Sequence, residues 1–288
     1  MEIRDYVKAA SLQEAWELNQ KKNNRVAGGN MWLRLSRRPA GTFIDLTDLG
    51  LDRIEETGDM FYIGAMVTLR MLEQHKGLDS CSNGSFREAL KGIVGTQFRN
   101  MATLGGSVAG RFGFSDVLTL LMAMDCEVVL YCGKAPGKFC RIPIADFAAK
   151  GPGRDIMVGV IIHKTPAVYS YQSVRMSSTD FPILTMAAAR LLPEACSETD
   201  DKKAGSVWRF AVGAAPYRAV RMEVAEKTGD FVTKEWIEEL KDRLQKEIRT
   251  GSNMRGSAAY RTHLIGVLAE RAVQKCSITP AGPDGKEA

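Results

Sequence analysis

Between Thr233 and Thr250 the apolar residues Ile237, Leu240, Leu244 and Ile248 recur every three or four positions among charged residues. That spacing lays one apolar stripe along an amphipathic helix. A capping box, Ser11-Leu12-Gln13-Glu14, opens a first helix running to about Lys22. A short apolar step, Arg25-Val26-Ala27, enters Gly28-Gly29-Asn30, and Thr42 to Leu46 forms a strand that completes a small α/β lobe ending near Glu56. Met60 to Ala65 reads as a strand, Thr68 as the cap of a helix carrying Leu69, Met71 and Leu72, and Ser85 to Ile93 as another helix. Beyond a glycine-rich stretch from Gly95 to Gly113, Ser115 or Asp116 caps a helix from Val117 to Met124. Glu127 to Tyr131 and Ile156 to Ile162 are β-rich. From about Val168 the pattern changes, with a strand at Val207 to Val212 and a last helix from Ser257 to Cys276. Thr279 to Ala288 reads as a frayed tail.

Composition narrows the classes. With 288 residues and 45% hydrophobic content, the chain can bury one or two cores in two or three lobes. The net charge of +5 is scattered, without a long basic run, so no nucleic-acid partner is expected. No apolar stretch reaches the ~18 residues of a membrane span, and the N-terminus lacks a signal-type apolar region. A cytoplasmic protein with no membrane partner is the expectation. The 6 cysteines form no Cys-x-x-Cys pair. Cys126, Cys132 and Cys140 therefore read as thiols around a hairpin in a reducing compartment, not as cluster ligands. His75, His163 and His263 are isolated and suggest neither a metal site nor a triad.

Two glycine pairs carry the chemistry: Val26-Ala27-Gly28-Gly29-Asn30-Met31-Trp32-Leu33 and Arg99-Asn100-Met101-Ala102-Thr103-Leu104-Gly105-Gly106-Ser107. Adjacent glycines admit positive φ and close backbone approach, and successive N–H groups turned to one side cradle a phosphate. Two such loops can hold a pyrophosphate between them; each alone can equally be a tight turn. There is no Gly-x-Gly-x-x-Gly after a strand and no P-loop motif.

The run Gln97-Phe98-Arg99-Asn100-Met101-Ala102-Thr103-Leu104-Gly105-Gly106-Ser107 is followed by Ser115-Asp116. Together with the first loop, Phe210 to Pro216 and Gly256 to Arg261, it resembles the FAD-binding medium subunits of molybdenum hydroxylases, the xanthine dehydrogenase and carbon monoxide dehydrogenase flavoprotein family. The resemblance runs in order along nearly the whole chain. It implies an α+β fold: a two-lobed FAD-binding domain of the vanillyl-alcohol-oxidase type (lobes 1–57 and 58–165), a C-terminal α+β domain (168–278) and a tail (279–288). It places the FAD pyrophosphate on the backbone of Val26, Ala27, Gly28, Gly29, Asn30, Met31, Trp32 and Leu33. Thr103, Leu104, Gly105, Gly106 and Ser107 close over it, with the Thr103 and Ser107 hydroxyls available to phosphate oxygens. By the same resemblance Asp116 takes a ribitol or ribose hydroxyl, although a helix N-cap would also explain an aspartate there.

Ile93 and Met157 or Val158 align with apolar positions near the adenine or flavin. Tyr171 aligns with an aromatic beside the flavin, and Gln172 stands where relatives carry a lysine. Phe112 and Phe114 are further candidates for packing near the flavin or a partner. No four-cysteine insertion for an additional cluster is present. The implied partners are a molybdenum-cofactor subunit, which would oxidise a substrate such as a purine, and a [2Fe-2S] subunit, with NAD⁺ as the electron acceptor. Two other readings stay open at this level: a stand-alone FAD-dependent oxidoreductase of the same fold, and a scaffold subunit that has lost FAD.

Overall fold

A computed structural model describes residues 2–133, 137–192, 206–215, 217–225 and 232–277. Pro216 and the expected tail at 279–288 lie outside these residues. Three sheets organise the described residues. The first contains β1 (Ile3–Lys8), β2 (Arg25–Ala27) and β3 (Ala40–Asp45), in the order β1-β3-β2 with both pairings parallel. Between β1 and β2 lies α1 (Leu12–Asn19), whose N-cap Ser11 accepts from the Glu14 amide. Glu14 in turn reaches back to the Ala10 amide, one residue earlier than a capping box requires. The helix stops at Asn19, short of Lys22.

The second sheet is antiparallel and five-stranded, in the order β4-β5-β8-β6-β7. Its strands are β4 (Ile54–Glu56), β5 (Met60–Gly64), β6 (Cys126–Tyr131), β7 (Phe139–Pro143) and β8 (Ile156–His163). Helices α2 (Leu69–Gln74), α3 (Lys76–Cys81), α4 (Ser85–Lys91), α5 (Thr96–Met101), α6 (Leu104–Ala109) and α7 (Asp116–Ala123) are inserted between β5 and β6, and α8 (Ile144–Lys150) follows β7. Side chains alternate across the strands of this sheet. Val128, Leu130, Val160 and Ile162 join the core beneath these helices, whereas Val129, Tyr131, Val158 and Ile161 pack against Ile44, Leu46 and Ala15 of the first unit. Cys132 and Cys140 are joined by a disulfide across the β6–β7 hairpin, which corrects the expectation of thiols there. Cys81, Cys126 and Cys276 are free.

The third sheet contains β9 (Ala167–Arg175), β10 (Pro182–Leu191), β11 (Val207–Gly213) and β12 (Val220–Ala225), antiparallel in the order β12-β11-β10-β9. It is covered on opposite faces by different parts of the chain. Leu184, Met186 and Ala188 of β10, with Trp208, Phe210 and Val212 of β11, pack under α9 (Lys234–Glu247) and α10 (Ala258–Ser277). The intervening Ala187, Ala189 and Ala211 pack instead into the core that holds α7 and α4. The expected stripe on α9 is present, with Leu240 and Leu244 buried and Ile237 half-buried.

Arg261, only 1% exposed, ties this unit together. Its guanidinium donates to the carbonyls of Ile183 (2.9 Å), Gly251 (2.5 Å) and Gly256 (2.6 Å), and to Asn253 Oδ1 (2.7 Å). The loop from 251 to 256 is therefore fastened to the start of β10 by one side chain. Arg261→Met would leave several buried acceptors without a donor, each costing about 1–3 kcal/mol. We expect a stability loss of about 3 kcal/mol, read as a lower urea midpoint; an unchanged midpoint would remove Arg261 from this role.

Candidate functional site

A cleft of about 1030 Å³ lies between the first and second units and reaches the loop joining β9 to β10. This is at the upper end of the ~300–1,000 Å³ range of small-molecule sites. One wall is the segment from Val26 to Leu33, which emerges from the C-terminal end of the parallel strand β2. The opposing wall includes Thr103, Gly105, Gly106 and Ser107, with Ile93, Phe112, Phe114, Asp116, Met157 and Arg175 around it. At the other end, α1 is fixed to the 154–155 segment: Trp16 Nε1 donates to Asp155 Oδ1 (3.0 Å) and Asn19 Nδ2 to the Arg154 carbonyl (3.0 Å).

The two glycine pairs meet each other, and they do so without positive φ. The left-handed residue in the first loop is Asn30, at φ 58°, a conformation that asparagine tolerates. The glycines are required by contact instead. A Cβ on Gly29 would stand 1.7 Å from the Met101 carbonyl oxygen, and one on Gly28 would stand 2.8 Å from Thr103 Oγ1. A Cβ on Gly105 would press the Ala65 carbonyl at 2.8 Å. At Gly106 the nearest atom is Thr103 Oγ1, at 3.3 Å, so its missing side chain leaves room on the cleft side.

The two walls differ in what they offer an anion. Among the described residues, the amides of Gly28, Gly29, Asn30, Met31 and Trp32 find no acceptor, and Asn30 Oδ1 is buried without a donor. In the second loop the donors are already engaged. Leu104 N donates to the Val67 carbonyl (2.9 Å) and Gly105 N to Ala65 (2.8 Å), while Gly106 N is capped by Thr103 Oγ1 (3.2 Å). The Ser107 hydroxyl donates to the Thr103 carbonyl at 3.0 Å. The Thr103 hydroxyl accepts in its capping role and keeps its own proton. The expected glycine turn at 105–106 is thus the opening of a helix, and the pair of hydroxyls reduces to one donor.

Asp116 is not the cap of α7. Ser115 is, accepting from Leu118 N (3.2 Å) while its hydroxyl donates to the Ser107 carbonyl (3.1 Å). Asp116 sits in the first turn, 5% exposed on the cleft wall. Its Oδ1 accepts from the Tyr171 hydroxyl (2.5 Å) and from Arg175 Nη2 (2.5 Å). Burial pushes its carboxyl up, opposed by the Arg175 charge and by the bonds from Tyr171 and Arg175.

Of the residues named from the sequence, Leu104, Val158, Tyr171 and Gln172 do not line the cleft. Leu104 and Tyr171 are in the core beneath the helices, and Val158 faces the first unit. Gln172 is half-buried on β9. The positive charge on this strand is carried three residues later by Arg175, which the sequence reading did not single out. Its partner lies 59 residues away on another unit, so no local spacing reveals the pair. Trp32, Phe112, Phe114 and Phe181 form an aromatic group at one end of the cleft. Trp32 lies 5.4 Å from Phe114 and 5.2 Å from Phe181, and Phe112 stacks on Phe114 at 5.1 Å.

A cleft between two units, with unpaired loop amides on one wall and clustered aromatic rings, has the features of a cofactor-binding site. Residues 1–164 match the family model "FAD binding domain in molybdopterin dehydrogenase", and residues 169–276 match "CO dehydrogenase flavoprotein C-terminal domain". The chain is similar to the uncharacterized protein YgfM of Escherichia coli K12, at 25% identity over 95% of this chain and 96% of that protein. It is also similar to the nicotine 6-hydroxylase medium subunit of Paenarthrobacter nicotinovorans, at 26% identity over 93% and 95% of the two chains. Among solved structures, carbon monoxide dehydrogenase from Hydrogenophaga pseudoflava shares the fold. There the TM-score is 0.81 and the identity 22%, over 94% of this chain and 96% of that one. The chain belongs to the FAD-binding flavoprotein subunit family of the molybdenum hydroxylases, and its cofactor is FAD.

The contacts above separate two substitutions. Gly29→Ala drives a methyl into a backbone carbonyl and should both lower the melting temperature and release FAD. Gly106→Ala sits in a helix, where alanine is favoured by about 0.5–1 kcal/mol. It should keep or raise the melting temperature while weakening FAD at least about tenfold, or about 1.4 kcal/mol. Full FAD occupancy in Gly106→Ala would show that the cofactor does not pass over α6.

Proposed function

We propose that this chain is the electron-transferring subunit of a molybdenum-containing hydroxylase of the xanthine dehydrogenase type. It takes electrons from a [2Fe-2S] partner subunit and passes them to NAD⁺, while a separate molybdenum-cofactor subunit oxidises the organic substrate. The observation that carries this reading is the run of amides from Gly28 to Trp32, unpaired among the described residues, on the wall of a cleft of about 1030 Å³. The residues fit the group. A diphosphate needs donors, which the first loop offers, and close approach, which Gly106 allows. The buried, unpartnered Asn30 Oδ1 is an acceptor for a hydroxyl or N–H of the cofactor, not for its diphosphate.

In this reading the Gly28 to Trp32 amides and the Thr103 hydroxyl hold the diphosphate. Arg25, Arg34 and Arg154 line the same cleft and add positive charge. Asp116 accepts a ribitol or ribose hydroxyl. Ile93 and Met157 contribute apolar wall, and Trp32, Phe114 and Phe181 exclude water from the ring end of the site. When bound, FAD supplies the redox chemistry that joins single-electron donors to a two-electron acceptor. The chain supplies position, electrostatics and shielding, which require no general acid or base of its own.

Two measurements test this. The purified chain should carry stoichiometric FAD, and anaerobic NADH should bleach the flavin absorbance by running the final transfer backwards. Bleaching by dithionite but not by NADH would rule out NAD⁺ as the acceptor. Co-purification of the tagged chain with an iron–sulfur and a molybdenum subunit is expected from cells expressing the whole complex.

A further inference from the structure

The cleft wall contains a buried ion pair that the binding role of Asp116 alone does not explain. Asp116, on α7, is held by two donors from β9 in the C-terminal sheet, and both bind the same oxygen, Oδ1. Arg175 is itself bound on several sides. Nη1 donates to the Asp180 carbonyl (2.6 Å), Nε to Ser173 Oγ (3.3 Å), and the guanidinium lies against Gly92, where a Cβ would approach Nε to 3.1 Å. The side chains of the pair are 10% and 6% exposed.

We infer that Arg175 is a positioning residue for FAD: through its bond to Asp116 it sets the carboxylate that faces the cleft, without needing to touch the cofactor. The inference rests on the FAD-binding role proposed for Asp116. With Tyr171 and Arg175 both on Oδ1, the acceptor capacity of Oδ2 is left to a cofactor hydroxyl. Burying a carboxylate favours its neutral form, and a nearby guanidinium favours the charged one. The two effects oppose each other here, with burial the larger. Removing Arg175 therefore raises the pH at which Asp116 ionises. The hydroxyl-accepting carboxylate is then lost at the acid end of the range and regained as pH rises. The groups facing Asp116 are Arg175 and Tyr171 on β9 and its own backbone amide on α7. Behind Arg175 stands Asp180, itself 3.4 Å from Arg255 Nη2.

The test is titration of the full apo chain with FAD, followed by flavin fluorescence between pH 6 and 9, for wild type, Arg175→Met, Arg175→Lys, Asp116→Asn and the Met/Asn double variant. At pH 7 Arg175→Met should weaken FAD about tenfold or more, the scale of a hydrogen bond to a charged group. Its affinity should recover toward pH 9. Asp116→Asn should be equally weak at every pH, and the double variant no weaker than Asp116→Asn. Arg175→Lys keeps a cation at a seam that methionine could unfold, so it gives a second reading: its loss should be smaller and confined to the acid end. A deficit in either Arg175 variant that is constant with pH and adds to that of Asp116→Asn overturns the inference, as does wild-type affinity in Arg175→Met. Failure of the wild type to take up FAD overturns the inference and the cofactor role of Asp116 together. Normal wild-type uptake beside a pH-independent Arg175 deficit overturns only the positioning role.

Discussion

The architecture of the cleft depends on how closely two backbones approach. Gly29 lies so near the Met101 carbonyl that no other residue fits, and Gly28 lies against Thr103 and Gly106. This contact brings the first unit onto the second and fixes the path of the loop leaving β2. Among the described residues the loop amides then have no partner, and the loop lines the space between the units. Glycine here is a requirement of packing first, and the row of unpaired amides is its consequence. The opposite wall obeys a different rule. Its helix-opening amides are taken by the carbonyls of Ala65 and Val67 and by the Thr103 cap, which fixes the wall rigidly and leaves it few donors.

Layering extends the same logic to the rest of the molecule. The five-stranded sheet buries one face under its own helices and the other under the first unit. The C-terminal sheet likewise shares one face with α7 and the other with α9 and α10. Strand alternation makes this possible, because residues one apart on β10 serve different cores. The sharing of α7 brings Arg175 to the cleft wall and Tyr171 to the core just behind it, and both meet Asp116. The aromatic group of Trp32, Phe114 and Phe181 arises in the same way, from a loop of each unit.

Much of this was legible in the sequence where the signal is local. The stripe on α9, the Ser11 and Thr68 caps, and the apolar runs of β5, β6 and β8 follow from short-range periodicity and capping chemistry. The two glycine loops were found by composition, yet their conformation was misread. Positive φ falls on Asn30, and the reason for Gly28 and Gly29 is a neighbour in the second loop, remote in the sequence. β1 escaped notice because it is mostly exposed and its partner β3 is remote. The long β9 and β10 were missed because their strands are buried on both faces or carry mixed residues, which blurs alternation. The Ser115 cap, one of two residues the sequence offered, is local, whereas the Cys132–Cys140 bond and the Asp116–Arg175 pair depend on three-dimensional neighbours.

In the proposed function the redox chemistry resides in FAD, and the chain would hold FAD asymmetrically, with one loop donating hydrogen bonds and the other offering space. Residue-resolved amide hydrogen exchange of the apo and FAD-loaded chain tests that asymmetry most directly. The amides of Gly28 to Trp32 should exchange rapidly without FAD and slow by at least about tenfold when it binds, as expected for groups that gain a partner. Those of Leu104 to Gly106 should be protected in both states. Unchanged exchange at Gly28 to Trp32, or protection gained only at Leu104 to Gly106, would contradict it.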